Sequence, residues 1–286
     1  MDIHLFEKTI LQLPSPIQEI YHTSFVDAEI NVFIKRDDLI HPIISGNKWR
    51  KLREYIGLAK ENSDLPLLSY GGAFSNHLYA MAYVGFHFNI PTIGIVRGEE
   101  LTINSNPYLM QMHQWGMDLH FVSRNQYKEK VNPTIKQAIE IPEGGYGELG
   151  ITGISKLVAE INTFNPSHII TAVGTGTTAL GINRYWGKPV IGILTLNNLS
   201  EILTHENEMM LKDNIWKTDY IMGKYAKNSD IIIKFCQSFT QDHQIEIEPI
   251  YTGRMFYGLF DMISKNQFPK GSKILALHSG GIKLSN

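Results

Sequence analysis

The chain has 286 residues, 43% of them hydrophobic and 19% charged, with a formal net charge of −2. That describes an ordinary globular protein long enough for one large domain or two of ordinary size, and a near-neutral chain without a basic run excludes a nucleic-acid footprint. A single cysteine, Cys236, excludes an internal disulfide, Met1–Leu13 lacks the basic start of a secretory signal, and no apolar run reaches the roughly 18 residues of a membrane span, so a cytoplasmic protein is expected.

Asn31–Lys35 reads as a strand. The polar turn Ser45-Gly46-Asn47 then opens a helix predicted over Trp49–Asn62, whose apolar stripe is Trp49, Leu52, Ile56 and Ala59. Ser45 or Asn47 can cap its free amides. Lys48 stands beside the positive end of that helix dipole, which disfavours the ammonium and helps a lysine act as a nucleophile; the competing reading is a solvated first-turn lysine. A strand at Leu65–Tyr70 leads through Gly71-Gly72-Ala73-Phe74-Ser75-Asn76-His77 into a helix over Asn76–Phe88. Strands at Thr92–Val96 and Leu119–Val122 follow. The loop from Pro142 to Gly147 holds three glycines and reads as a domain boundary or an active-site loop.

Further along, the pattern predicts a helix over Gly150–Phe164, a strand at His168–Val173, a helix over Thr177–Trp186 and a strand at Val190–Leu194. A helix over Ser229–Thr240, a strand at Ile245–Ile250, a helix over Arg254–Asn266 and a strand at Ile274–Leu277 complete it. Strand and helix alternating in this way predict an α/β fold of parallel-rich sheets covered by helices. Ligands of such sheets bind at the carboxyl ends of strands, and three polar segments fall there: Gly71–His77, Gly174–Thr178 and His278–Gly281.

Gly174-Thr175-Gly176-Thr177-Thr178 is a strand-to-helix turn of small residues, in which glycines let the backbone approach an anion and threonine hydroxyls add donors, so phosphate is the natural ligand. A packing turn is the plain alternative. The dinucleotide fingerprint also fits Gly174, Gly176 and Ala179, but it needs an acid about 20 positions on, where Thr195-Leu196-Asn197-Asn198 stands instead. Ser75-Asn76-His77 opens a helix that can receive a carboxylate, with Asn76 reaching a cofactor oxygen; an ordinary helix cap is the alternative. No glycine follows Ser75 as a nucleophile elbow requires. The eleven histidines form no metal-ligand spacing, so no metal is expected. A reactive lysine, a phosphate turn and a carboxylate-receiving helix end are together what pyridoxal 5'-phosphate chemistry needs.

Ser45-Gly46-Asn47-Lys48, Gly71-Gly72-x-x-Ser75-Asn76-His77, Tyr251-Thr252-Gly253 and His278-Ser279-Gly280-Gly281, in this order, resemble the 1-aminocyclopropane-1-carboxylate deaminase/D-cysteine desulfhydrase family. That family belongs to the tryptophan synthase β-like pyridoxal phosphate enzymes, and the resemblance runs from Leu13 almost to the C-terminus. It implies that Lys48 is the Schiff-base lysine and that Asn76 bonds the cofactor's phenolic oxygen. Gly174, Thr175, Gly176, Thr177 and Thr178 would hold the phosphate. Ser75, Asn76 and His77 would take the substrate carboxylate, and Tyr225 and Tyr251 would be active-site tyrosines. Ser279 would face the pyridine nitrogen with Thr252 close by. It also implies a homodimer, with a large cofactor-binding domain of residues 1–50 and 150–286 and a small domain of residues 51–149.

Deaminases of this family resemble one another in carrying Glu after the second tyrosine and Leu in the H-x-G-G motif, where this chain has Thr252 and Ser279. The resemblance therefore implies α,β-elimination from a small D-amino acid, D-cysteine giving pyruvate, ammonia and hydrogen sulfide, with Lys48, Tyr225 and Tyr251 as catalytic residues and Ser75 a possible second proton carrier. The alternatives are the deaminase reaction and a pyridoxal phosphate-binding protein without turnover. Phe74 stands where glutamine is frequent, which bears on the pocket wall and the substrate.

Overall fold

Alternating residues of each central strand carry apolar side chains to opposite faces, and that pattern organises the computed structural model, which describes residues 1–44, 46–62, 64–130, 137–211, 213–221 and 230–281. In chain order the strands are β1 (Ile17–Ile20), β2 (Asn31–Lys35), β3 (Leu67–Gly71), β4 (Thr92–Arg97), β5 (Met117–Val122), β6 (Ile139–Ile141), β7 (His168–Val173), β8 (Ile191–Leu194), β9 (Ile215–Lys217) and β10 (Lys273–Leu277). They form a four-stranded sheet, β5-β4-β3-β6, and a six-stranded sheet, β1-β2-β10-β7-β8-β9. Every pairing is parallel except that of β1 with β2.

In the larger sheet Val32, Ile34, Ile170, Ile191, Ile193, Ile274 and Ala276 enter one apolar cluster with the Asp230–His243 and Thr252–Ser264 helices. Their neighbours Ile169, Val173, Leu194, Leu275 and Leu277 enter another, with the Ser155–Asn162 and Thr177–Trp186 helices. A parallel sheet covered on both faces is the physical reason for these unbroken apolar runs. In the smaller sheet Leu68, Tyr70, Ile93, Ile95 and Val122 share one face.

The chain divides into two units, one of residues 1–12 and 41–153, the other of residues 13–40 and 154–286. Residues 1–12 and 41–50, expected with the larger domain, cluster with the smaller one, because the helix that begins at Asn47 packs against the Glu148–Gly153 helix so closely that a Cβ on Gly153 would lie 1.9 Å from the Arg50 carbonyl oxygen. The helix predicted over Gly150–Phe164 is accordingly two, broken at Ile154, where the chain passes from one unit to the other. The Pro142–Gly147 loop lies inside the first unit.

A second correction concerns Ile245–Ile250. Ile245 and Ile247 are buried and Glu246 is exposed, as in a strand, yet the segment pairs with none among the described residues. Pro249 has no N–H, and the amides of Ile250, Tyr251 and Thr252 are taken by the Glu248 carboxylate instead of a ladder.

Candidate active site

The predicted residues are distributed over both units at strand ends. In the first unit the helix Asn47–Glu61 starts one or two residues earlier than its apolar stripe suggests. Its N-cap is Gly46, at φ 65°, and no side chain caps it; Ser45 lies outside the described residues. Only glycine adopts that backbone readily. Asn47 is not a cap either: its Oδ1 accepts a 2.9 Å hydrogen bond from Lys48 Nζ, and Lys48 is half-buried.

β3 ends at Gly71, where a Cβ would stand 2.5 Å from Ser75 Oγ; glycine there lets the serine fold back as the N-cap of the Asn76–Phe88 helix, accepting from Leu78 N–H at 3.3 Å. Ser75 thus fills the ordinary capping role that was the alternative reading. Phe74 is exposed and meets the Tyr108 ring edge-to-face with centroids 5.8 Å apart.

His77 is buried. The Ser69 hydroxyl donates to Ile141 O at 2.7 Å, so at the 3.0 Å contact between His77 Nε2 and Ser69 Oγ the imidazole is the donor. That fixes the tautomer and leaves Nδ1 an acceptor, buried and without a hydrogen-bond partner among the described residues. Desolvation, followed by the charges of Lys51 and Lys48, pushes the His77 pKa down to about 3, so the ring is neutral at pH 7.

Lys51 is the residue that the sequence reading passed over. It lies one turn beyond Lys48, is buried, and donates to Gly144 O at 3.0 Å. Burial, then the neighbouring Lys48 charge, brings its pKa down to about 7. Gly145, at φ 72°, leaves room for it: a Cβ there would be 3.2 Å from the Lys51 stem and 3.5 Å from His77 Cε1. The Pro142–Gly147 loop therefore belongs with the candidate site. Its sequence signal was the i,i+3 spacing of two lysines on one helix.

In the second unit β7 delivers Gly174–Thr178 to the start of the Thr177–Trp186 helix. Gly176 is its N-cap at φ 85°, no side chain caps the helix, and its first turn carries no acid. A helix start behind a left-handed glycine, where the cap residue brings no side chain, is the kind of backbone end that suits an anion, and a Cβ on Gly176 would press on Ile202 at 3.3 Å. Thr175 Oγ1 and Thr177 Oγ1 are 3.0 Å apart. Asn198, a residue not singled out from sequence, donates to Gly174 O at 2.9 Å, and its Oδ1 is buried without a hydrogen-bond partner among the described residues. These features fit a phosphate-bearing cofactor.

Tyr251 Cε1 lies 3.2 Å from where a Gly174 Cβ would be, so the tyrosine ring rests against this turn. Thr252 is fully buried, its hydroxyl bonded to Glu248 Oε1 at 3.1 Å. Ser279 is buried at the end of β10. Its neighbour His278 donates from Nε2 to Glu246 O and accepts at Nδ1 from Gly280 N–H, and burial holds its pKa below the usual histidine value. Tyr225 lies outside the described residues. Among the described residues no group of acids, histidines or cysteine could hold a metal, and no helix is long and apolar enough to cross a membrane.

Comparison with known proteins points the same way. A family model described as pyridoxal-phosphate dependent enzyme matches residues 10–280. A Pyrococcus horikoshii protein with the provisional name 1-aminocyclopropane-1-carboxylate deaminase is 28% identical over 94% of this chain and 89% of its own. The mitochondrial bifunctional D-cysteine desulfhydrase/1-aminocyclopropane-1-carboxylate deaminase of Arabidopsis thaliana is 26% identical over 96% of this chain and 78% of its own. Among solved structures an ACC deaminase homologue superposes with a TM-score of 0.79 at 24% identity, covering 98% of this chain and 94% of that one. Serine racemase from Dictyostelium discoideum does so with 0.71 at 16%, covering 99% and 97%. These two likenesses establish the tryptophan synthase β-like fold.

Proposed function

From the premise that this chain belongs to the pyridoxal-phosphate dependent enzyme family, and is a lyase of its 1-aminocyclopropane-1-carboxylate deaminase/D-cysteine desulfhydrase branch, we propose that it eliminates hydrosulfide from D-cysteine to give pyruvate, ammonia and hydrogen sulfide. The observation that carries the choice of substrate is the pair of hydroxyl residues, Thr252 and Ser279, at positions where deaminases of the family carry a carboxylate and an apolar side chain.

The bound cofactor supplies an electron sink for the bond broken at Cα. The protein does the rest. Lys48 Nζ would hold the cofactor and, as a free amine, would take the Cα proton. Lys48 is half-buried and its Nζ donates to Asn47 Oδ1 at 2.9 Å, one helical turn from the buried Lys51. Gly174 to Thr178 would bind the phosphate, the amides of Ser75, Asn76 and His77 would orient the substrate carboxylate, and Asn76 would bond the cofactor's phenolic oxygen. The Tyr251 hydroxyl, or that of Tyr225, would deliver a proton to the departing sulfur, and Ser279, with Thr252 close by, would serve the pyridine nitrogen. Neutral His77 adds no charge to the carboxylate site. The reading carries with it a cytoplasmic homodimer.

A second reading, the deaminase reaction, is favoured by one specific contact: the Glu248 carboxylate stands behind Thr252 and bonds its hydroxyl. The relatives' names include both activities. One panel separates the readings: D-cysteine, β-chloro-D-alanine, D-serine, L-cysteine and 1-aminocyclopropane-1-carboxylate, assayed for keto acid and sulfide. Sulfide and pyruvate from D-cysteine are expected. Rapid 2-oxobutyrate from the cyclopropane acid without sulfide from D-cysteine establishes the second reading. No product across the panel, from protein that binds pyridoxal phosphate, leaves a binding protein without turnover.

A further inference from the structure

Glu248 belongs to none of the motifs, yet the hydrogen bonds of the turn that follows it converge on it. Its carboxylate accepts from Ile250 N–H at 2.7 Å, Tyr251 N–H at 2.9 Å, Thr252 N–H at 2.7 Å and the Thr252 hydroxyl at 3.1 Å. Its own N–H donates to Thr252 Oγ1 at 3.1 Å, and its carbonyl accepts from Gly253 N–H at 2.7 Å. Hydrogen bonds to an ionised acceptor are the strong ones. Here they freeze four consecutive residues at the start of the Thr252–Ser264 helix, whose N-cap, Tyr251, makes no side-chain cap of its own.

Two neighbouring segments lean on the same group. The Tyr251 ring rests against Gly174, in the anion-binding turn. On the other side the Glu248 stem fills the space beneath Gly281: a Cβ at 281 would stand 2.6 Å from Glu248 Cγ. The close fit extends below the turn, where a Cβ on Gly253 would meet Cys236 Sγ at 2.4 Å and Glu248 O at 2.8 Å. A helix cap alone needs neither the stacked tyrosine nor the glycine loop. Glu248 touches the Tyr251 turn and the H-S-G-G loop directly, and reaches the Gly174 turn through the tyrosine.

We propose that Glu248 is a positioning residue of the cofactor pocket, holding the Tyr251 ring against the Gly174 turn and the Gly281 backbone in register with both. The proposal rests on the reading above, in which Gly174–Thr178, Tyr251 and Ser279 surround the cofactor. Glutamine at 248 keeps the stem but halves the acceptor capacity of its end; aspartate keeps the carboxylate.

The test titrates cofactor-stripped protein with pyridoxal 5'-phosphate and follows the visible band, beside the melting temperature of each stripped variant. Glu248→Gln is expected to bind about tenfold more weakly, and Glu248→Asp to recover most of that loss. Gly281→Ala, which pushes on the same stem from the loop side, is expected to weaken binding about fivefold and to combine with Glu248→Gln less than additively. Should Glu248→Gln not fold, Gly281→Ala alone reads the same contact. Binding by Glu248→Gln or, in its place, Gly281→Ala within twofold of the parent overturns the proposal, whatever the melting temperature does; so do strictly additive effects. A parent protein that takes up no pyridoxal phosphate overturns the reading beneath it as well.

Discussion

The candidate residues of the two units are set by opposite means. In the first unit Lys51 and His77 are buried basic groups beside Lys48, and the pKa values of Lys51 and His77 are lowered first by burial and then by neighbouring lysine charge. In the second unit Gly174–Thr178, Tyr251–Gly253 and His278–Gly281 are turns whose backbone is arranged by positive φ values at Gly176 and Gly280 and by one carboxylate that takes the Tyr251 and Thr252 amides. The difference teaches which substitutions matter where. Charge governs the first group, and backbone geometry governs the second.

The contrast breaks most sharply at Lys48. Lys48→Ala is expected to lose turnover by about a thousandfold or more, and borohydride, which should fix pyridoxal phosphate to the Lys48 peptide of the parent, should fix none to the variant. A Lys48→Ala protein that retains a borohydride-fixable band would show that another amine does this work. In the second unit Gly176→Ala puts a Cβ at φ 85° and 3.3 Å from Ile202. The left-handed backbone costs roughly 1–2 kcal/mol, so pyridoxal phosphate affinity should fall about tenfold, measured by titration of stripped protein, while Lys48 stays reactive.

Two smaller effects sharpen the electrostatic half. His77 has a pKa of about 3 when folded and near 6.5 in the open chain. Between those values the unfolded chain binds the extra proton, so the stability that neutral His77 allows is complete above pH 6.5 and is lost as the pH falls toward 3. His77→Gln should keep more of its melting temperature between pH 6.5 and 4 than the parent does; equal slopes would place the burden elsewhere. Lys51 runs the same way at higher pH. Its folded pKa is about 7 and its ordinary value 10.5, so the unfolded chain again binds more protons between them and stability rises across that window. Lys51→Met should flatten the rise in melting temperature between pH 7 and 10, the smallest effect of the four.

Much of this architecture was legible because strand and helix periods are local properties. β2, β7 and the Asn76–Phe88 and Thr177–Trp186 helices lie at their predicted bounds. β6 and β9 have three residues each and β1 four, too few for an alternation to stand out. Ile245–Ile250 misled because burial alternates along it while its hydrogen bonds go to a side chain. The Gly150–Phe164 helix misled because Gly153 ends it for the sake of a close backbone contact with Arg50, sequence-distant by about a hundred positions. Of the candidate site, Lys48, Ser75, Gly174 and Gly176 were marked by their places beside helix starts, where amides and dipoles act over one turn. Tyr251 carried no such mark and came from the resemblance alone.

The sequence by itself determined the parallel α/β plan, the strand ends that carry polar segments, and the places of Lys48 and Gly174–Thr178 at helix starts, since each depends on residues within a turn or two of one another. Only the tertiary structure decided that Lys51 is buried beneath the Gly144 carbonyl, that His77 is neutral with its Nδ1 lone pair inward, and that Glu248 binds the Tyr251 turn under Gly281. Lys51 reads as one more charge on a polar helix face, and Glu248 as an acid in a strand. Desolvation and long-range contact, which made them part of the site, belong to the neighbours that folding brings and not to the residues themselves.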